Sequence, residues 1–266
     1  MASCSRWSSI LSSSAERGAV RYDGRTAAEL EAFLGVPRVV LHESVSSTLD
    51  VAHVIASSSP AGTLVLADEQ TAGRGTHGRR WTSRAGDGVW LTLLERPTDV
   101  PALDVLSIRC GLYAAEALDG LATARIGVKW PNDLYVGARK LAGLLLETRW
   151  RGATAEWIAI GFGLNVRTPP LKTAIGLAEG RTRLEALACL VPALRRAAGE
   201  LGHLTEHELA RWTARDVARG RSVSAPSGGT VDGLASSGEL LVRGVDGTVA
   251  RHRTGTLTFA EPPACS

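Results

Sequence analysis

From Ala124 to Val166 the chain reads ARIGVKWPNDLYVGARKLAGLLLETRWRGATAEWIAIGFGLNV, a succession of strand-like runs separated only by hairpin-length links. This spacing is the tightest constraint on the fold. A parallel crossover needs about a dozen residues, so runs joined by Pro-Asn-Asp or Gly-Ala-Arg favour antiparallel pairing. Strict alternation of strand and helix is thereby disfavoured, and a mixed or antiparallel sheet is expected.

The flanking segments complete an α/β chain of the α+β kind. TAAELEAFLG has helical spacing with a stop at Gly35, and PRVVLHES reads as a short strand. SSTLDVAHVIAS is a helix with a Ser/Thr start, on which Leu49, Ala52, Val54 and Ile55 supply the apolar positions. TLVLADEQ and GVWLTLLE are strands, ALDVLSIRCGLYAAEALDGL is a long amphipathic helix, and TRLEALACLVPALRRAAGELG and LTEHELARWTARD are helical. After Asp216 the texture changes to short Thr/Val-rich runs with SGG, SSG and DG turns, the pattern of a small β-barrel. The expected organisation is a poorly ordered leader over residues 1–25, a main α/β unit over 26–216 and a β appendage over 217–262.

Composition limits the function classes. With 44% hydrophobic and 21% charged residues, the 266-residue chain is an ordinary globular one. A net charge of +3 argues for neither a nucleic-acid nor a membrane partner. The four cysteines, Cys4, Cys110, Cys189 and Cys265, show no C-x-x-C spacing, so neither a zinc site nor a disulfide framework is expected. No apolar run reaches the roughly 18 residues of a membrane span, the N-terminus lacks an apolar signal core, and a cytoplasmic setting is expected.

Two motifs carry chemistry. In TAGRGTHGRRW (Thr71 to Trp81), Gly73, Gly75 and Gly78 fit G-x-G-x-x-G, the dinucleotide fingerprint. A nicotinamide site would need an amphipathic helix next, whereas RRWTSRAGDG follows, so the oxidoreductase reading is weak. What remains is an anion cradle of exposed glycine N–H groups with Arg74, Arg79 and Arg80, or else a solvated basic turn. The second motif is KWPNDLYVGARKLAGLLLE. Only three of the 30 basic residues are lysine, and Lys129 and Lys140 bracket Asn132 and Asp133 here (the third is Lys172). Lysine is a compact point charge where arginine is a planar fork, so in an arginine-rich chain the choice is informative. If the two runs pair, Asp133 and Lys140 stand at related levels near one mouth.

Together GRGTHGRRW and KWPNDLYVGARKLAG resemble the biotin protein ligases, with further matches in Ser46-Ser47-Thr48, ADEQTAGRG and GFGLNV. The resemblance implies a mixed-sheet catalytic domain like the class II synthetases, followed by an SH3-like barrel. It also implies a two-step reaction: the carboxylate of biotin attacks the α-phosphorus of ATP with Mg²⁺ present, and a lysine of a biotin carboxyl-carrier domain then takes the biotinyl group from biotinyl-5′-AMP. By matched position, Lys140, Arg74 and Asp133 are the expected catalytic residues, with Asp133 also holding the metal. Biotin is expected against Ser47, Thr48, Gln70, Arg74, Gly75, Thr76, Lys140, Gly143 and Gly161. The nucleotide side is expected at Gly73, Arg74, Thr76, Trp81, Lys129, Asn132, Lys140, Gly163 and Asn165. Plainer roles compete: Ser47 and Thr48 also suit a helix cap, Trp81 and Trp130 suit a core, and His77 suits a solvated loop.

Two departures from the family pattern bear on retention of the intermediate. Thr76 stands where the family's glycine loop carries arginine, and Leu49 where Asn follows Ser-Thr. A looser grip on the adenylate and weaker biotin binding are expected, so Thr76→Arg should release less free adenylate. The stretch ahead of the matched pattern is too short for a winged-helix repressor domain. No nucleic-acid partner is expected, and the chain is expected to be a monomer or weak homodimer. A lipoate-type ligase and a non-catalytic biotin-binding module are the rival readings; Ser47, Thr48 and Gln70 favour a ureido ligand over a lipoyl tail.

Overall fold

The computed structural model describes residues 20–97 and 99–260; the side chain of His77 and the first 19 residues of the expected leader lie outside the described residues. The fold begins earlier than that leader allowed. Tyr22 is buried and bridges Arg25, while Asp23 pairs with Arg183, so 20–25 are packed chain. The correction has a clear cause: the Tyr22 ring lies under the Arg183 guanidinium, 4.1 Å from ring centre to carbon.

Helix α1 (Ala27–Leu34) starts in a capping box between Thr26 and Glu29 and stops at Gly35, whose φ of 63° only glycine adopts without cost. Strand β1 (Arg38–Val45) leads to α2 (Thr48–Ile55), which is capped by the Ser47 hydroxyl. Then come β2 (Thr63–Gln70), β3 (Gly88–Glu95) and the long α3 (Val100–Leu118). Four strands follow without an intervening helix: β4 (Gly127–Lys129), β5 (Asp133–Val136), β6 (Arg139–Arg151) and β7 (Thr154–Asn165). They join one mixed sheet in the order β1-β2-β3-β7-β6-β5-β4, in which only β1 and β2 run parallel, linked by α2 as the crossover.

The sheet buries both faces. Helix α3 and helix α4 (Arg183–Gly199) cover one, and on the other Leu49 and Ala52 of α2, with Ala56 just after it, pack against Val65, Leu94 and Ala159. That is why GVWLTLLE reads as a continuous apolar run: as β3 in mid-sheet it is covered on both sides. Helix α5 (Glu206–Thr213) is tied to α3 by the fully buried Arg109, which donates to Glu208 at 2.6 Å.

The C-terminal β unit is a five-stranded antiparallel sheet of β8 (Ser222–Ala225), β9 (Gly229–Leu234), β10 (Leu240–Arg243), β11 (Val249–His252) and β12 (Thr258–Phe259). It docks on the β4–β5 end of the large sheet. Trp130 is buried there and donates its indole N–H to the carbonyl of Gly238 at 3.1 Å. Trp130 is therefore a packing residue. Among the described residues no helix is long and apolar enough to cross a membrane.

Candidate active site

An inner cavity of about 50 Å³ opens where α2, β2, β6 and β7 converge beneath the loop that follows β2. Thr48 and Gln70 on its polar side belong to one hydrogen-bond chain anchored by residues behind the wall. Thr92 donates to the Thr48 hydroxyl at 2.9 Å, Thr48 donates through its hydroxyl and its backbone N–H to the Gln70 side-chain carbonyl, and the Gln70 amide donates to Ser83 at 2.8 Å. Each member fixes the next, so the remaining donor and acceptor directions are set before any ligand arrives. Ser47 lines the cavity and caps α2, accepting from the Leu49 N–H at 3.3 Å, so the plainer role as a helix cap is met. Leu49, Leu91, Leu145 and Phe162 supply an apolar wall that the motifs did not flag, because such residues are written as core in any strand.

Lys140 stands where two cavities meet. It opens β6, opposite Tyr135 across the β5–β6 hairpin, and the register shifts between Leu134 and Tyr135. That shift lets its ammonium reach Asp133 at 2.6 Å, as the expected pairing of the two runs required. Gly143 faces Asp133 in the same ladder, and a Cβ there would stand 3.2 Å from Lys140 Nζ and 3.3 Å from Asp133 Oδ1. The glycine clears room for the pair. Lys140 Nζ also lies 5.1 Å from the Trp81 ring centre. Trp81 in turn presses on the backbone of Gly163, where a Cβ would come within 2.6 Å of the indole nitrogen.

The glycine loop differs from the open cradle expected of it. Gly75 N–H donates to the Arg79 carbonyl at 2.7 Å, and Trp81 N–H to the Gly73 carbonyl at 2.8 Å, so the loop satisfies these donors internally. Gly73 is there for close packing, since a Cβ would meet the Trp81 carbonyl at 2.6 Å. Gly73 lines only a shallow outer groove, together with Gly78. The arginines divide. Arg74 reaches the inner cavity, Arg80 ties back to the Thr71 carbonyl, and Arg79 donates to Thr256 of the C-terminal segment at 3.0 Å. Gly75, Thr76 and Gly161 line the inner cavity.

Beyond Trp81 and Lys140 an outer cavity of about 370 Å³ is walled by Arg79, Arg80, Arg84 and Arg167, with Pro169 and Leu171 on its far side. Arg84, Arg167 and this Pro-Leu wall were missed; Arg167 directly follows the quoted GFGLNV, and its place there was the available signal. Asn165 lines this cavity and gives its amide N–H to the Ile175 carbonyl at 3.2 Å. Asn132 lines the inner one and donates to the Leu144 carbonyl, tying the Pro-Asn-Asp turn to β6. Lys129 lines neither. Its ammonium lies 5.6 Å from the Tyr135 ring centre and 5.1 Å from that of Phe259, and burial pushes its pKa down.

Asp133 is the one carboxylate lining both cavities, and it is already paired with Lys140. Among the described residues no three His, Cys, Asp or Glu side chains form a metal cluster. Mg²⁺ held with a nucleotide often uses one or two carboxylates beside phosphate oxygens, and Asp133 is the carboxylate here that could serve as one.

Residues 41–165 match the biotin/lipoate A/B protein ligase family. The biotin–[acetyl-CoA-carboxylase] ligase of Paracoccus denitrificans is 32% identical over 204 residues, an overlap of 69% of this chain and 85% of that protein. The bifunctional ligase/repressor BirA of Bacillus subtilis is 36% identical over 135 residues, 50% of this chain. The chain spans 33% to 41% of the length of the first ligase/repressor relatives it matches. Among solved structures, the biotin protein ligase from Aquifex aeolicus in complex with biotin and ATP covers 85% of this chain and 100% of its own, with a TM-score of 0.68; at 22% identity the likeness is one of fold. That from Leishmania major in complex with biotinyl-5-AMP is 27% identical, with a TM-score of 0.56 over 81% of this chain and 98% of its own. A two-cavity cleft on this fold, and a relative matched over most of its length, place the chain among the biotin protein ligases of the biotin/lipoate A/B protein ligase family.

Proposed function

We propose that this chain activates biotin with ATP and transfers the biotinyl group to a lysine of a biotin carboxyl-carrier domain. The observation that carries the proposal is the place of Lys140, whose ammonium lies between the inner and outer cavities and is paired with Asp133. The bicyclic ring occupies the inner cavity, its ureido group facing the Thr48–Gln70–Ser83 chain. The nucleotide occupies the outer cavity among the arginines.

In the first step a carboxylate oxygen of biotin bonds to the α-phosphorus, the bond from that phosphorus to the bridging oxygen breaks, and pyrophosphate leaves. Two anions must approach, so the enzyme's task is neutralisation and alignment rather than proton transfer. Lys140 offers a point charge to both oxygens, and Arg74 neutralises from the loop side. Trp81 divides the two ligands and backs the adenylate. Asp133 orients Lys140 and would contribute a ligand to Mg²⁺, which when bound supplies charge to the phosphates. In the second step the carrier lysine, as free amine, attacks the acyl carbon, AMP leaves, and the amine proton passes to solvent. The chemistry belongs to the unit over 26–216, with 217–262 as the appended β unit and no nucleic acid involved. Thr76 in place of arginine leaves the adenylate less covered. A lipoate-type reading is disfavoured because a lipoyl tail would leave the Thr48 and Gln70 groups beside the leucines of the inner wall unpaired.

Mass spectrometry of a purified carrier domain after incubation with ATP, Mg²⁺, biotin and this chain tests the reading. One added biotinyl group on one lysine is expected. Unmodified carrier together with no biotin-dependent exchange of labelled pyrophosphate would overturn it, and tight biotin binding in that case would point to a non-catalytic module.

A further inference from the structure

The active-site reading leaves a chain of polar side chains beside the inner cavity without a role. Arg74 does not hang free in the loop. Its Nη1 lies 2.9 Å from Asp50 Oδ1 on α2, and its Nη2 lies 3.3 Å from Glu147 Oε1 on β6. The guanidinium thus spans the two walls of the cleft beneath which the cavity lies. Both carboxylates are themselves held. Ser46 donates to Asp50 Oδ2 at 3.0 Å, and His53 Nε2 lies 2.8 Å from Glu147 Oε2. Behind His53, the indole N–H of Trp157 donates to Nδ1 at 3.1 Å. That donor requires Nδ1 to accept, so the ring hydrogen sits on Nε2 and points at Glu147.

We infer that Asp50 and Glu147 are positioning residues that hold the Arg74 guanidinium over the inner cavity, with His53 and Trp157 setting the orientation of Glu147. Side-chain exposures of 31% to 43% along this chain mark ion pairs that contribute little to folding, so its effect lies in where the guanidinium stands. A guanidinium carries more N–H donors than these two contacts use, which leaves others for an arriving anion.

The inference rests on the proposed function, and its test has one arm that does not. In the first arm, limited trypsin digestion without ligand reads how firmly the loop is held, through cleavage after Arg79 and Arg80. Glu147→Gln and His53→Ala should speed that cleavage several-fold, whereas His53→Gln, whose amide can accept from Trp157 and donate to Glu147, should cleave like the parent. In the second arm, Glu147→Gln should lower the turnover of biotin-dependent pyrophosphate exchange about tenfold, with KM for ATP unchanged. In an Arg74→Met background the same change should cost less than about twofold, because Glu147 acts through Arg74. His53→Gln should again restore what His53→Ala loses. Unchanged digestion in Glu147→Gln, or losses that simply multiply in the double variant, overturn the inference. A parent chain without exchange removes the proposed function alone, and the digestion arm still decides the positioning.

Discussion

The inner and outer cavities share Gly75, Thr76, Trp81, Asp133 and Lys140, yet they are built from opposite materials. The inner one is small and, apart from Arg74 on the loop side and the shared Asp133–Lys140 pair, walled by hydroxyl and amide groups and by leucines. The outer one is several times larger and ringed by four arginines. A neutral heterocycle gains from pre-set hydrogen bonds in a dry site, because each group left unpaired there carries a desolvation cost. A polyphosphate gains from mobile cations in a wide site. A single residue that acts on both ligands must therefore stand at the boundary, and Lys140 does.

The largest expected effect comes from breaking the boundary. Lys140→Met keeps length and removes charge, and should lower biotin-dependent pyrophosphate exchange by at least about 100-fold, a loss typical of removing one preorganised charge. Exchange within tenfold of the parent would show that neither cavity depends on it. Next, Gly163→Val drives the Trp81 indole out of its seat. It should weaken both ligands by titration calorimetry and destabilise the fold by about 1–3 kcal/mol in denaturant unfolding. A loss confined to one ligand would mean that Trp81 belongs to one cavity only.

A matched pair sharpens the contrast. Thr48→Val breaks the Thr92–Thr48–Gln70 chain and should raise KM for biotin about tenfold while sparing ATP. Arg167→Met should do the reverse, raising KM for ATP several-fold and sparing biotin. Crossed effects would merge the two cavities into one. The smallest effect is expected at Lys129. Burial lowers its pKa, so the charged form is held in the fold at a cost, and Lys129→Met should change exchange less than about threefold while leaving stability equal or higher. A loss comparable to that at Lys140 would bring Lys129 to the nucleotide after all.

The contrast between those lysines also shows where sequence reasoning ended. Both sit in the motif, bracket the same turn and are lysine in an arginine-rich chain. Their separate fates follow from register: the shift between Leu134 and Tyr135 sends Lys140 to Asp133, whereas Lys129 meets Phe259, more than a hundred positions downstream. The loop arginines behave alike. Arg74, Arg79 and Arg80 are equivalent on paper, and only folding turns one to the inner cavity, one to Thr256 and one to Thr71.

Local pattern alone determined the strand runs, the antiparallel hairpins, the helix caps and the change of texture after Asp216. Each of these depends on periodicity, turn length or a capping side chain within a few residues. The polar chain of the inner wall, the arginine ring and the Arg74 bridge depend on α2, β3, β6 and β7 meeting. Glu147 and His53 lie 94 residues apart and have no shared signature until the sheet brings them within hydrogen-bonding distance. Contacts of that kind arise from packing and register, which no local stretch encodes.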